Sequence, residues 1–188
     1  MSAAVTTYRF TVEEYYRMAE TGIFKPDDGV ELIRGEIIAM SAVGRFHAAH
    51  VNRLNALLSQ TLGNRAVTSV QNPVRINEYS EPEPDLAVLR PQEDYYAAGH
   101  PGPADVLLLI EVADSSYEYD RDVKVPLYAE AGIPEVWLLN VAGPELTIYR
   151  RPADGRYTEV LRPQPDNTLT PIRLPNVSFT HQEIAGAF

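Results

Sequence analysis

The segment "DVLLLIEVADSSYEYDRDVKVPLYAEAGIPEVWLLN", residues 105–140, decides the fold. It opens with five consecutive aliphatics, Val106 to Ile110, without polar alternation, as in a central strand covered on both faces. It closes on "EVWLLN", a second apolar strand. Between them, "YDRDVKVPLYAEAG" predicts a helix from near Asp122 to a stop at Gly132. Pro126 removes one backbone donor, so this helix either starts just before it or kinks there. Strand, helix and strand in that order predict a parallel pair joined by a right-handed crossover.

Outward from this unit, "AVTSVQNPVRI" (66–76), "PDLAVLR" (84–90) and "ELTIYRR" (145–151) read as further strands. In "RFHAAHVNRLNALLSQTLG" (45–63), Val51, Leu54, Leu58 and Leu62 recur at helical steps, with Gly63 as the stop. His47 lies one turn before Val51 and continues the inward stripe, whereas His50 reads as a surface residue. "VELIRGEIIAM" (30–40) predicts two short strands turning at Arg34 and Gly35, with Glu31 in the first. "TVEEYYRMAE" (11–20) predicts a short amphipathic helix capped by Thr11 and Glu14 and ended near Gly22. "ADGRYTEV" and "RPQPDNTLTPIRLP" read as surface hairpin and loop. There is no internal repeat and no low-complexity segment.

The 188 residues are 45% hydrophobic, which suits one globular domain over 1–188. The absence of cysteine excludes disulfides and thiolate ligands and fits a reducing cytosol. The first residues lack the pattern of a secretory signal, and no apolar run approaches membrane-spanning length, so a cytoplasmic protein is expected. A net charge of −10 argues against a broad electrostatic grip on nucleic acid. Clustered acids can instead hold divalent cations that neutralise phosphate.

In "EPEPDLAVLR" (81–90), acids and prolines run into a strand, so Asp85 would sit at a sheet edge, where a charge needs a partner. Glu111 ends the long apolar strand, and neighbouring strands would bring the two carboxylates together. Lys124 follows on the next helix, and Glu31 is a possible extra ligand. Two carboxylates and a lysine around Mg²⁺ suit phosphodiester hydrolysis, the lysine offsetting developing negative charge.

The segments "EPEPDLAV", "LLLIEVADSS", "DRDVKVPLYAEAGIPEVWLLN" and "VELIRGEIIAMSAVGRFHAAH" together resemble a large bacterial family of restriction-endonuclease-like (Uma-type) proteins, expanded in cyanobacteria, within the PD-(D/E)XK nuclease superfamily. The resemblance runs from about Phe10 to Arg150. It implies an α/β (α+β) restriction-endonuclease-like fold, a central mixed sheet flanked by helices with an N-terminal helix and hairpin. It also implies that Asp85, Glu111 and the Val112 backbone carbonyl bind Mg²⁺, with Mn²⁺ able to substitute, that Lys124 is the catalytic lysine, and that Glu31 is an auxiliary acid. The superfamily lysine stands two residues after the second acid, where this chain has Ala113; in the family it has moved to the following helix, here Lys124, with Tyr128 one turn later.

Each residue also has a plainer reading. Asp85 could be turn chemistry, and Glu111 could be half of a salt bridge to Arg121 or Lys124. Lys124 could form an exposed helix pair with Asp120. Glu31 could be a half-exposed strand residue, His47 a core histidine, and Tyr128 packing. Asp114, Asp120 and Asp122 default to solvated or capping residues.

Three functions follow: a metal-dependent endonuclease acting on DNA, a catalytically inactive binding or assembly module on the same fold, and a metal-dependent hydrolase of small phosphoesters. No phosphate-binding loop and no three-histidine zinc site are present in the sequence. Nucleases cutting both strands commonly act as homodimers, and "ELTIYRRPADGRYTEV" could supply a self-complementary edge or simply a protected one.

Overall fold

Strand β5 (Val106–Ala113) is buried at every position and forms the axis of the protein, seen in a computed structural model that describes residues 6–25, 28–143 and 145–186. The first five and last two residues of the expected 1–188 domain therefore lie outside the described residues. On one side β5 pairs antiparallel with β4 (Leu86–Leu89), and β4 with β3 (Val67–Val70). On the other it pairs parallel with β6 (Glu135–Asn140), which continues antiparallel into β7 (Glu145–Ala153) and β8 (Arg156–Leu161). The result is a six-stranded mixed sheet in the order β3-β4-β5-β6-β7-β8, with the parallel pair that the strand, helix, strand order predicts.

Alternation along the strands sorts side chains onto two faces. Leu108, Ile110 and Val112 of β5 join Leu86, Val88, Trp137 and Leu139 under helix α2 (Arg45–Leu62), which contributes Val51, Leu54, Leu58 and Leu62. Leu109 faces the other way, with Ala87, Leu89 and Val136, beneath Leu127 and Tyr128. The same alternation sends Glu111 to this second face.

The connection from β5 to β6 differs from the single helix expected. It consists of a short turn, α3 (Tyr117–Tyr119), a π-helical turn over Asp120–Lys124, and α4 (Val125–Glu130). The Val125 N–H donates to the Asp120 carbonyl five residues back, and Pro126 follows immediately in the first turn of α4, where its missing N–H is least needed. Gly132, at φ +76, ends the helix as predicted.

Two smaller elements pack against this frame. Helix α1 (Val12–Glu20) has the reciprocal Thr11 and Glu14 cap read from sequence. The hairpin of β1 (Val30–Ile33) and β2 (Glu36–Ala39) turns at Arg34 and Gly35, both at positive φ, as a two-residue primed turn requires. It is tied to the segment before β4 by a bridge between Leu32 and Glu81. Near the C-terminus, β9 (Thr168–Leu169) pairs with β10 (Phe179–Thr180), which leads into α5 (His181–Ala185). Leu169 is buried beside Phe179, so the segment read as surface loop in fact closes the α2 face of the core. His50 is likewise buried rather than superficial, its Nδ1 2.8 Å from the Phe46 carbonyl. Among the described residues no helix is long and apolar enough to cross a membrane.

Gly35 holds the hairpin against the chain entering α1. A Cβ there would lie 2.5 Å from Arg9 Cβ and 2.9 Å from Arg9 Cα. Gly35→Ala is expected to destabilise the protein by about 2 kcal/mol in urea unfolding, combining left-handed strain with the clash. An unchanged midpoint would mean that the turn relaxes freely.

Candidate active site

The pairing of Leu86 with Ile110 sets Asp85, one residue before β4, across from Glu111. The Asp85 N–H donates to Glu111 Oε2 at 3.3 Å, and the Val112 N–H donates to Asp85 Oδ2 at 2.9 Å. In an extended strand the N–H and C=O of one residue point to the same side, so the Val112 carbonyl faces Asp85 as well. The Asp85 carboxylate thus has the partner its position demands, and it gains a second from α2, where His47 Nε2 stands 2.9 Å from Oδ1. Gln71 Nε2 adds a longer contact of 3.4 Å.

Glu111 is buried with both of its oxygens engaged. Lys124 Nζ lies 3.0 Å from Oε1, and the Tyr128 hydroxyl donates to the same oxygen at 2.7 Å. Lys124 also stands 3.5 Å from Glu31 Oε2, which accepts the Glu83 N–H at 3.0 Å. The sheet edge, the hairpin and the crossover helix therefore meet at one ammonium group. Arg121, the other partner considered for Glu111, pairs instead with Asp122 in solvent.

Of the residues singled out in the sequence, Asp85, Glu111, Lys124, Glu31, His47, Tyr128 and the Val112 backbone are brought together. The exposed helix pair read for Lys124 and Asp120 is absent, because both residues are only 5% exposed. Asp120, assigned by default to solvent, faces the cluster and accepts a hydrogen bond from Ser116 Oγ at 2.7 Å. Tyr119, not singled out, carries a buried hydroxyl with no partner among the described residues, electrostatically coupled to Glu31 and Lys124. The i, i+4 spacing of Asp120 and Lys124 gave no hint of this, since it places both on one helix face without saying whether that face points inward.

Burial and charge pull the titrations in definite directions. Burial pushes the Glu111 carboxyl up to about 8, with Asp120 and Asp85 adding to the effect and Lys124 partly offsetting it. Burial raises Asp120 as well. For Lys124 burial acts downward, but Glu111, Glu31 and Asp120 more than reverse it, so the ammonium stays charged. The hydrogen bond to Asp85 raises His47.

The family described as "Putative restriction endonuclease" (Uma2) matches residues 12–182 of the chain. A crystal structure described as "a putative nuclease belonging to DUF820", from Anabaena variabilis ATCC 29413, aligns over 93% of this chain and 97% of that one, with a TM-score of 0.69 and 16% identity. At that identity the likeness speaks for the fold. No curated protein matches the chain.

A carboxyl raised above its unfolded value keeps a proton that the unfolded chain releases, so its contribution to stability is lost as pH climbs toward the folded value. A raised histidine acts in the same sense. Thermal stability is accordingly expected to fall between about pH 4.5 and 8, the ordinary and shifted values of Glu111, and Glu111→Gln should flatten the decline. A melting temperature rising across this range would contradict the assignment.

Proposed function

This chain belongs to the family described as "Putative restriction endonuclease", and from that premise we propose that it is a Mg²⁺-dependent endonuclease hydrolysing phosphodiester bonds, with DNA as substrate. The observation that carries the reading is an unbalanced buried charge. Asp85, Glu111, Glu31 and Asp120 gather around Lys124 and His47, which leaves two negative charges unmatched when all are ionised. A divalent cation is the smallest group that restores neutrality, and it would remove the penalty that raises Glu111.

The donors suit Mg²⁺. Asp85, Glu111 and the Val112 carbonyl are hard oxygens at one sheet edge, and Mg²⁺ is commonly held by one or two carboxylates, with water and substrate phosphate completing its shell. Among the described residues no group of three or more acidic or histidine side chains is arranged to hold a metal alone, so on this reading water and substrate phosphate would have to complete the shell. Mn²⁺ would substitute. When bound, such an ion activates water and offsets phosphate charge.

The chain supplies the rest. Lys124, fixed between Glu111 and Glu31, presents a permanent positive charge to the negative charge that develops on the phosphate. Glu31, from the N-terminal hairpin, is the auxiliary acid that holds Lys124. Tyr128 fixes the Glu111 rotamer, and His47 fixes that of Asp85. The lysine's move from the strand to the helix is compatible with this role, because its ammonium returns to the glutamate at the end of β5.

A second reading, an inactive module, draws on the same geometry. Both Glu111 oxygens already have protein partners, which satisfies the site without a cation. Dimerisation would suit cleavage of both strands, and β8, the last strand of the sheet, leaves Val160 and Leu161 exposed for a second copy.

Calorimetric titration with Mn²⁺, with and without a non-cleavable oligonucleotide, separates the readings. The wild type is expected to bind and Asp85→Ala to lose binding, whereas no heat under either condition favours the module. Lys124→Ala should bind Mn²⁺ yet lose cleavage by about 100-fold or more. Retained cleavage would remove the lysine from the mechanism.

A further inference from the structure

Beside the acidic site runs a groove of about 490 Å³ along the edge strand β3, bounded by Asn55 of α2 and by the loop that follows β4. In a chain of net charge −10, no carboxylate lines it. Its walls present the hydrogen-bonding side chains of Asn55, Thr68, Ser69, Asn72 and His100, with no negative charge among them to repel a phosphate chain. The volume is that of a small ligand rather than of a protein partner.

The backbone at both ends is strained. Six non-glycine residues among those described have positive φ, and three flank this groove: Gln71 at +49°, Tyr95 at +51° and Tyr96 at +67°. Left-handed backbone at bulky residues persists only where surrounding structure enforces it, and it gathers at ligand clamps and active sites. Here the enforcement is visible. Asp94 accepts the N–H groups of Tyr96 and Ala98, and the Tyr96 hydroxyl donates to the Arg90 carbonyl at 2.7 Å. Tyr96 is thereby pinned, while its neighbour Tyr95 is held out with 76% of its surface exposed.

The opposite end of β3 lies near the acidic site, because Val70, which lines the groove, pairs with Leu86 next to Asp85. The Gln71 N–H donates to the Asp85 carbonyl at 3.1 Å, and its side-chain amide reaches the Asp85 carboxylate.

We propose that this groove seats one or two nucleotides of a single strand beside the scissile phosphate, with a base stacked on Tyr95. The assignment deepens the nuclease reading and rests on it for the direction of the strand. Stacking on an exposed aromatic is tolerant of sequence. An extended peptide pairing along β3 is the competing occupant, and it would have no use for the Tyr95 ring.

The test is fluorescence anisotropy with a labelled twelve-nucleotide oligodeoxythymidylate, in Ca²⁺ so that binding is read apart from cleavage. Tyr95→Ala is expected to weaken binding by roughly tenfold, Tyr95→Phe to bind like the wild type, and Ile23→Ala, an exposed residue elsewhere, to have no effect. Equal binding by wild type and Tyr95→Ala overturns the proposal, as does a wild type that binds only duplex. Equal losses in Tyr95→Ala and Tyr95→Phe overturn it too, since the ring would then not be the contact. A protein that binds through Tyr95 but cuts nothing upholds the groove and refutes the nuclease. One that cuts DNA with full Tyr95→Ala activity does the reverse.

Discussion

The contact between Lys124 Nζ and Glu111 Oε1, 3.0 Å long and almost wholly out of solvent, is the constraint around which the other elements are arranged. Removing either partner of a buried pair strands the other, at about 3–5 kcal/mol. Such a pair persists only when its remaining hydrogen-bonding capacity is met. Tyr128 and the Asp85 N–H complete Glu111, and Glu31 shares Lys124. Meeting those needs recruits α4, the turn before β4 and the N-terminal hairpin to one point. Three segments distant in sequence are thus held together by electrostatic demand as well as by apolar packing.

The position of the lysine follows from topology. Side chains alternate along β5, so Leu109 and Glu111 share the face that α4 covers. A parallel crossover must lay its helix on one face of the two strands it joins. Any inward residue near the start of that helix is therefore delivered to the end of β5. Ala113, where the superfamily pattern has its lysine, is fully buried, and a long charged side chain there would have no room. The π-helical turn provides the alternative, with one extra residue per turn rotating Asp120 and Lys124 toward Glu111 just before Pro126 fixes α4.

Most of the fold was legible because it rests on periodicity. The aliphatic run of β5, the stripe of α2, the Thr11 and Glu14 cap and the Arg34 and Gly35 turn are local patterns with local causes. The acids at Asp85 and Glu111 stood out because Asp85 opens a strand at a sheet edge and Glu111 closes an aliphatic run, positions where a lone charge is expensive. Asp120 did not, since its spacing from Lys124 is that of an ordinary solvent-facing pair, and a π-helical turn leaves no compositional mark. His50 was misplaced although it stands four residues before Leu54, on the same buried row as Leu54, Leu58 and Leu62, while Phe46 one turn earlier is exposed. The strand pairing of Leu169 with Phe179 depends on a return of the chain that loop-like composition conceals.

The acidic character of the chain bears on how a phosphate could approach. On the proposed function, four carboxyls surround the reacting position, and Lys124 already belongs to two of them. A phosphodiester entering without a cation would meet repulsion at short range in a medium of low polarity, where it is strongest. Binding of cation and substrate would then be mutually dependent, each lowering the electrostatic cost of the other. A groove without carboxylates would complement such a site, because it would hold a strand by stacking and hydrogen bonds without drawing nucleic acid indiscriminately, as a basic surface does. Selectivity would come from requiring both at once, the cation at the sheet edge and the strand in the groove, rather than from affinity for charge.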